Sequence, residues 1–170
     1  MIRLIDTALL DEVSAEARAA PRGRRNRNFH PRDDYPGHRL LNAIEPGSYI
    51  APHRHLDPTK DETMVVLRGA LGLVVFDDAG CVVQTQKVGA GGTAIAGTAA
   101  NMDTARGVVG IDIAHGIWHT VFALESGTVF LEAKSGPYLP LTAAECAPWA
   151  PAENAAAAPD YLTGLRRLFP

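Results

Sequence analysis

Of the six histidines in this 170-residue chain, His53 and His55 stand two positions apart. In an extended chain, residues at that spacing project from the same side, so both imidazoles face one space. A third histidine, His119, ends the run Gly116-Ile-Trp-His119, and the residues after His55 bring carboxylates at Asp57, Asp61 and Glu62. A neutral imidazole gives one lone pair to a borderline metal, and a carboxylate compensates the metal's charge. Three imidazoles and one carboxylate suit Fe(II), Mn(II), Ni(II), Zn(II) or Cu(II), and they leave room for water, substrate or dioxygen. A histidine taken alone is more often a surface or hydrogen-bonded residue. The combination of His-x-His with a distant Gly-x-x-His is what points to one divalent transition metal. His115, in the expected turn before Gly116, reads as exposed.

Ligands so far apart in the chain need a framework to bring them together. From residue 39 the sequence breaks into short β-rich runs at 39–44, 48–51, 62–68, 71–76, 81–88, 108–113, 118–124 and 128–133. They are separated by Pro46-Gly47, Gly69, Asp77-Asp78-Ala79-Gly80, Gly116 and Ser126-Gly127. Strands at such spacing without helices between them predict an antiparallel sandwich or barrel, because a parallel sheet would need amphipathic crossovers. A helix is expected over 6–19, capped by Asp6, with Leu9, Leu10, Val13 and Ala17 at helical spacing and Pro21 as its stop. The Ala-rich stretch 152–158 reads as a linker to a short terminal helix capped by Asp160, with Leu162, Leu165, Leu168 and Phe169 on one side. Residues 89–107, rich in Gly, Ala and Thr, read as a long hairpin connection. Within it, Gly89-Ala-Gly91-Gly92-Thr-Ala94 fits a dinucleotide-binding pattern in form. No amphipathic helix follows to face a pyrophosphate, so it reads as a turn.

Composition bounds the function. Lys and Arg number 16 against 19 Asp and Glu, and the net charge of -3 argues against nucleic acid as a partner. No apolar run approaches a membrane span and no secretory signal is visible, so a cytoplasmic location and no membrane partner are expected. Cys81 and Cys146 read as free thiols of a reducing compartment.

The spacing Gly47-x5-His53-x-His55, Glu62-x6-Gly69 resembles the first cupin motif, and Gly116-x-x-His119 resembles the core of the second. Six residues separate His55 from Glu62, more than the general motif has, and Ala114 stands where the second motif usually has Pro. Arg22-Gly-Arg-Arg-Asn-Arg-Asn28-Phe-His30, Arg39-Leu-Leu-Asn42, Tyr49-Ile-Ala-Pro-His53, Glu132-Ala-Lys134-Ser-Gly-Pro-Tyr138 and Trp149-Ala-Pro extend the likeness to WbuC-type cupin metalloproteins, over most of residues 20–153. The resemblance implies a mainly β fold: a cupin-type antiparallel β-barrel (jelly roll) over 39–140. A helix and arm at 1–38 and an appendage at 141–170 would complete one domain. It implies His53, His55, Glu62 and His119 as metal ligands, with Asp57 or Asp61 as alternative carboxylates. From the habit of that superfamily a homodimer is the expected assembly.

Other residues complete the expected site. Tyr49 shares the parity of His53 and His55, so its hydroxyl would enter the same cavity. Phe130, Glu132 and Lys134 share one face of the last strand, and Val129, Leu131 and Ala133 share the other. Periodicity alone puts Val129 and Leu131 in the core and leaves Glu132 and Lys134 as a surface pair. The resemblance instead turns that pair into the pocket, for proton transfer. Arg39, Tyr49 and His30 are expected to bind substrate, and Trp118 to serve packing. Arg22, Arg24, Arg25 and Arg27 form a salt-bridged arm by default. At the barrel mouth they would instead hold a phosphate or carboxylate. The function expected is a metal-dependent enzyme on a small polar, anionic or sugar-type substrate, linked by the resemblance to bacterial lipopolysaccharide O-antigen clusters. A non-catalytic module gripping a sugar or carboxylate through the metal is the alternative, and a non-haem iron dioxygenase is a third reading.

Overall fold

Apolar residues recur along β-rich runs between turn residues, and the two sheets these runs form bury their facing sides against each other. A computed structural model describes residues 2–90 and 107–170. Its elements run α1 (Thr7–Ala19), β1 (Arg24–Asn28), β2 (Gly37–Ile44), β3 (Glu62–Arg68), β4 (Ala70–Phe76), β5 (Val82–Gly89), β6 (Gly110–Ile113), β7 (Trp118–Ala123), β8 (Thr128–Ser135) and α2 (Ala158–Arg166). One sheet has the order β1-β2-β8-β3-β6 and the other β5-β4-β7, with every pairing antiparallel. The fold is therefore mainly β, two antiparallel sheets with a short helix at each end. Among the described residues the sheets face each other without closing into a continuous barrel. Along one edge Val108 and Val109 join them, the Val108 carbonyl accepting from Gly89 and that of Val109 from Val66.

Three apolar clusters hold the layers. Ile44, Met64, Val66, Leu71, Leu73, Val88, Val121 and Phe130 fill the space between the sheets. Leu10, Val13 and Ala17 of α1 cover the outer face of the larger sheet, against Leu41, Ala43 and Val129. Each such Leu or Val contributes about 1.5–3 kcal/mol by leaving water. The C-terminal residues, with Leu162 and Leu165 of α2, cover the outer face of the smaller sheet, against Val74, Phe76, Trp118 and Phe122. Among the described residues, no helix is long and apolar enough to cross a membrane.

Helix α1 matches its sequence signals, with Asp6 accepting from the Leu9 amide. Four elements differ from expectation. Residues 48–51 form no strand: Pro52 lacks an N–H, and the carbonyls of Tyr49 and Ile50 accept from the side chains of Arg24 and Thr120. The arm contributes β1, which its polar sequence Arg-Arg-Asn-Arg-Asn does not announce; it pairs along β2 from Arg24–Ile44 to Asn28–Leu40. Helix α2 begins at Ala158, two residues before Asp160, so Asp160 sits in its first turn and does not cap it. The supposed linker is a pair of turns leading into that helix. Of the expected connection at 89–107, residues 91–106 lie outside the described residues, as does most of the Gly89–Ala94 pattern.

Two glycines with positive φ that make turns between strands are Gly69, away from the histidines, and Gly116, next to them. Gly69 (φ 71°) turns β3 into β4 where a Cβ would stand 2.5 Å from Thr128 Oγ1. Gly116 (φ 81°) turns the chain into β7 just before His119.

Candidate metal centre

Pairing brings the first two imidazoles together. His53 and His119 exchange both backbone hydrogen bonds, at 3.0 and 2.9 Å. Directly opposed residues of an antiparallel pair send their side chains to the same face, and here the ring centroids are 4.6 Å apart. His55, two residues on, sets its ring edge-on to His53 at 5.5 Å. On its far side, the strand-like segment around His53 is held by the C-terminal residues: Arg54 donates to the Glu145 carbonyl and Ala147 to that of Pro52.

The six residues between His55 and Glu62 fold into a turn that returns the chain to the site. Asp57 Oδ1 accepts from the Thr59 amide and hydroxyl, and the Lys60 amide donates to the Asp57 carbonyl. Asp57 is spent on that turn, and exposed Asp61 pairs with exposed His115 at 2.8 Å. Neither reaches the imidazoles, which corrects both as alternative ligands. Glu62 is 3% exposed and places Oε1 3.0 Å from His55 Nε2 and Oε2 3.5 Å from His119 Nε2.

These residues fit a metal ion. The donor atoms of His53, His55 and Glu62 lie within 4.8 Å of one another. His53 Nδ1 lies 3.0 Å from the Ala51 carbonyl and His119 Nδ1 2.9 Å from that of Ile117. Each Nδ1–H therefore donates to a carbonyl, which leaves the Nε2 lone pair for a cation. Among the described residues, buried His119 Nε2 makes no well-formed hydrogen bond and faces Glu62 Oε2 at 3.5 Å. A buried nitrogen left without a well-formed bond is costly, and a cation at this place satisfies it. Burial, and then neighbouring His119, push the His53 imidazole down to about 4, so it is neutral and able to ligate near pH 7.

Strand β8 supplies the rest. Lys134 Nζ stands 2.7 Å from Glu62 Oε1 and 2.6 Å from Glu132 Oε1, and Asn42 Nδ2 donates to Glu132 Oε2 at 2.5 Å. Burial alone would raise the Glu62 carboxyl, but the His119 and His55 rings and the Lys134 ammonium outweigh it and hold the group far below the usual carboxylate range. Burial likewise acts to lower Lys134, and the charges of Glu132 and Glu62 overcome it and lift the ammonium above its ordinary value. Beside these groups lies a cavity of about 260 Å³, bordered by His53, Glu62, His119, Glu132 and Lys134, with Arg24 and Asn26 farther along its wall. A second cavity of about 590 Å³ opens on His53, His55 and Lys134 from the side of Tyr138 and Leu141.

The remaining expected residues divide. Glu132 and Lys134 face inward, so the surface pair suggested by periodicity is replaced by the pocket pair suggested by resemblance. Tyr49 does not enter the cavity: its hydroxyl donates to the Pro151 carbonyl, and its ring packs edge-on to Tyr161 at 6.0 Å. With no regular strand at 48–51, its parity with His53 has no meaning. Arg39 is on the opposite side of β2 from Asn42, exposed, with its guanidinium 5.8 Å from the centre of the Tyr35 ring. Buried His30 stacks on His38 at 3.9 Å and borders a third cavity, whose wall shares Glu132 and Lys134 with the first. Trp118 packs as expected, edge-on to Trp149 at 4.9 Å. The arginine arm divides: Arg25 and Arg27 pair with Glu16 and Glu12 of α1, Arg22 and Arg24 border both cavities, and Arg25 also touches the first. Sequence reasoning missed Asn42 and Lys60, whose ammonium rests on the carbonyls of Ser135 and Pro137. Asn42 falls within Arg39-Leu-Leu-Asn42, but only the β2–β8 register sets it beside Glu132.

A family described as a domain of unknown function (DUF6016) matches residues 5–88. No curated protein matches the chain in sequence. Among solved structures, KdgF from Halomonas sp. is similar at 13% identity and TM-score 0.46, over 66% of this chain and 77% of that one. A conserved protein of unknown function from Streptococcus pyogenes, SPY1581, is similar at 13% identity and TM-score 0.49, over 82% and 91%. The Bacillus subtilis oxalate decarboxylase, studied for its Mn(II) centres, is similar at 18% identity and TM-score 0.45; the match covers 69% of this chain but only 26% of that one. In this chain itself, the His53, His55 and Glu62 donors, with His119 against Glu62, make a site able to hold a metal ion within a framework of two antiparallel β-sheets.

Proposed function

We propose that this protein is a metal-dependent enzyme acting on a small polar, sugar-type substrate. Its divalent transition metal would be held by His53, His55, Glu62 and His119. The observation that carries the reading is the buried Nε2 of His119, which makes no well-formed hydrogen bond among the described residues and faces a buried carboxylate within a cluster of imidazoles. When bound, such a metal supplies Lewis acidity toward a carbonyl or hydroxyl oxygen. The chain's own residues do the rest. His53 and His119 are oriented by the Ala51 and Ile117 carbonyls, Lys134 carries a proton beside the reacting space, and Glu132, steadied by Asn42, is the group that would take one up. The WbuC-type resemblance adds the setting, O-antigen sugar metabolism, and the isomerase or epimerase class of reaction fits it.

A binding module is the second reading, and one observation favours it. Lys134 is pinned between two carboxylates that lift its pKa, which makes it a reluctant proton donor near pH 7. Elemental analysis of untreated protein, followed by a search for solvent-deuterium incorporation into nucleotide sugars and sugar acids, separates the two. Metal with exchange at a carbon supports the enzyme. Metal with ligand binding and no exchange supports the module, and protein that neither contains nor takes up a transition metal removes both.

A further inference from the structure

The larger cavity beside the histidines has more cations than its carboxylates balance. It is bordered by Arg22, Arg24, Lys60, Lys134 and Glu153. Lys134 is neutralised by Glu62 and Glu132. Lys60, only 9% exposed, rests on two carbonyls and pairs with no carboxylate among the described residues. Arg22 and Arg24 share a single acceptor, Glu153 Oε2, at 3.6 and 2.6 Å. The Arg24 guanidinium is aimed independently of that carboxylate, because its other nitrogen donates to Ser48 Oγ and the Tyr49 carbonyl. Glu153 lies in the turns before α2 and is a third exposed, whereas Arg24 is largely covered. Both arginines also border the smaller cavity that contains Glu62 and His119. The guanidinium fork fixed at Arg24, with the exposed Arg22 beside it, opens on both spaces and is suited to an oxyanion, and the carboxylate now on Arg24 is more exposed and less constrained than that arginine.

We infer that Arg22 and Arg24 form an anchoring subsite for an anionic substituent, a phosphate or carboxylate, on the molecule whose other end reaches the histidine cluster. Glu153 occupies that subsite as an internal stand-in, and the incoming anion displaces it. This rests on the reading of the histidine cluster as the reaction centre, and it narrows the substrate to two-headed anions such as acidic or phosphorylated sugars.

The test uses the full chain after chelator treatment, with glucose 6-phosphate, glucuronate and glucose as probes in calorimetric titrations. The charged probes should bind at least about tenfold more tightly than glucose, and R24Q should remove that advantage. E153Q should strengthen binding of the charged probes by about 3- to 10-fold, because the competing carboxylate is gone. A response confined to glucose 6-phosphate assigns the substituent as phosphate, and one confined to glucuronate assigns it as carboxylate. Equal binding of all three probes, or an anion preference that R24Q leaves intact, overturns the subsite. Weakening by E153Q to the extent seen with R24Q overturns the displacement. Should R24Q not fold, wild type serves: probe binding must perturb the backbone amides of Ala155 and Ala158 next to Glu153, and an absence of perturbation counts against the inference. A parallel Mn(II) titration of wild type reports on the metal centre separately, so loss of one reading is distinguishable from loss of the other.

Discussion

Successive inward positions on β3 run Val66, Met64, Glu62, and on β8 they run Phe130, Glu132, Lys134. Along the same two strands the space between the sheets therefore changes from an apolar core to a cluster of charges. At the apolar end Leu71, Val88 and Val121 add bulk, and the buried Thr128 hydroxyl there donates to the Ala70 and Glu125 carbonyls. At the other end two carboxylates share one ammonium and the imidazoles are tied to backbone carbonyls. The contrast teaches that one sheet can carry both environments when each buried charge meets its opposite within hydrogen-bonding distance. The apolar end holds the sheets in place, and the charged end is built around groups that a cation would complete.

The largest effect is expected at the ligands. H119A or H53A should weaken Mn(II) or Zn(II) binding by about 100-fold or more in calorimetry of chelator-treated protein, with little change in fold by circular dichroism. Unchanged affinity would remove the metal centre from this end of the molecule. Next, K134M strands two buried carboxylates and should cost about 3–5 kcal/mol in urea unfolding without metal. Added divalent metal should restore more stability to K134M than to wild type, since it supplies the missing positive charge; equal restoration would show that metal and lysine do not share Glu62.

Acid should attack the same end before the apolar one. His53 has its pKa lowered to about 4, against about 6.5 when unfolded, so between these values the unfolded chain binds the extra proton. Its contribution is present above about pH 6.5 and disappears as pH falls toward 4, and Glu62 adds a loss in the same direction at lower pH. Urea midpoints of chelator-treated protein should fall over that window, and H53N should flatten the slope. Smallest of all, I44V at the apolar end should cost about 0.5–1.5 kcal/mol and leave metal affinity within about threefold of wild type. A large loss of metal affinity in I44V would mean that the two environments are mechanically coupled.

The outcome at particular residues shows how far pattern reaches. Short β-rich runs between turn residues located most strands to within a residue or two, and the pairing of His-x-His with a distant Gly-x-x-His anticipated that His119 would lie beside His53. Strand β1 escaped notice because its inner face is Arg24, Asn26 and Asn28 and its outer face Arg25 and Arg27, so it has no apolar alternation to read. The error over Tyr49 has a related origin: parity is a property of a strand, and Pro52 together with side-chain capture of the carbonyls leaves residues 48–51 without one.

From the amino-acid order alone came the β-rich class, the helical ends and the trio of histidines, because those are encoded by periodicity and local spacing. Which face of β8 turned inward, which of three nearby carboxylates met the imidazoles, and that a lysine stands between Glu62 and Glu132 were decided only by the packing of distant strands. Alternation sorts side chains into two sets, but only the register between partners, set by the burial of the whole sheet, says which set faces the site.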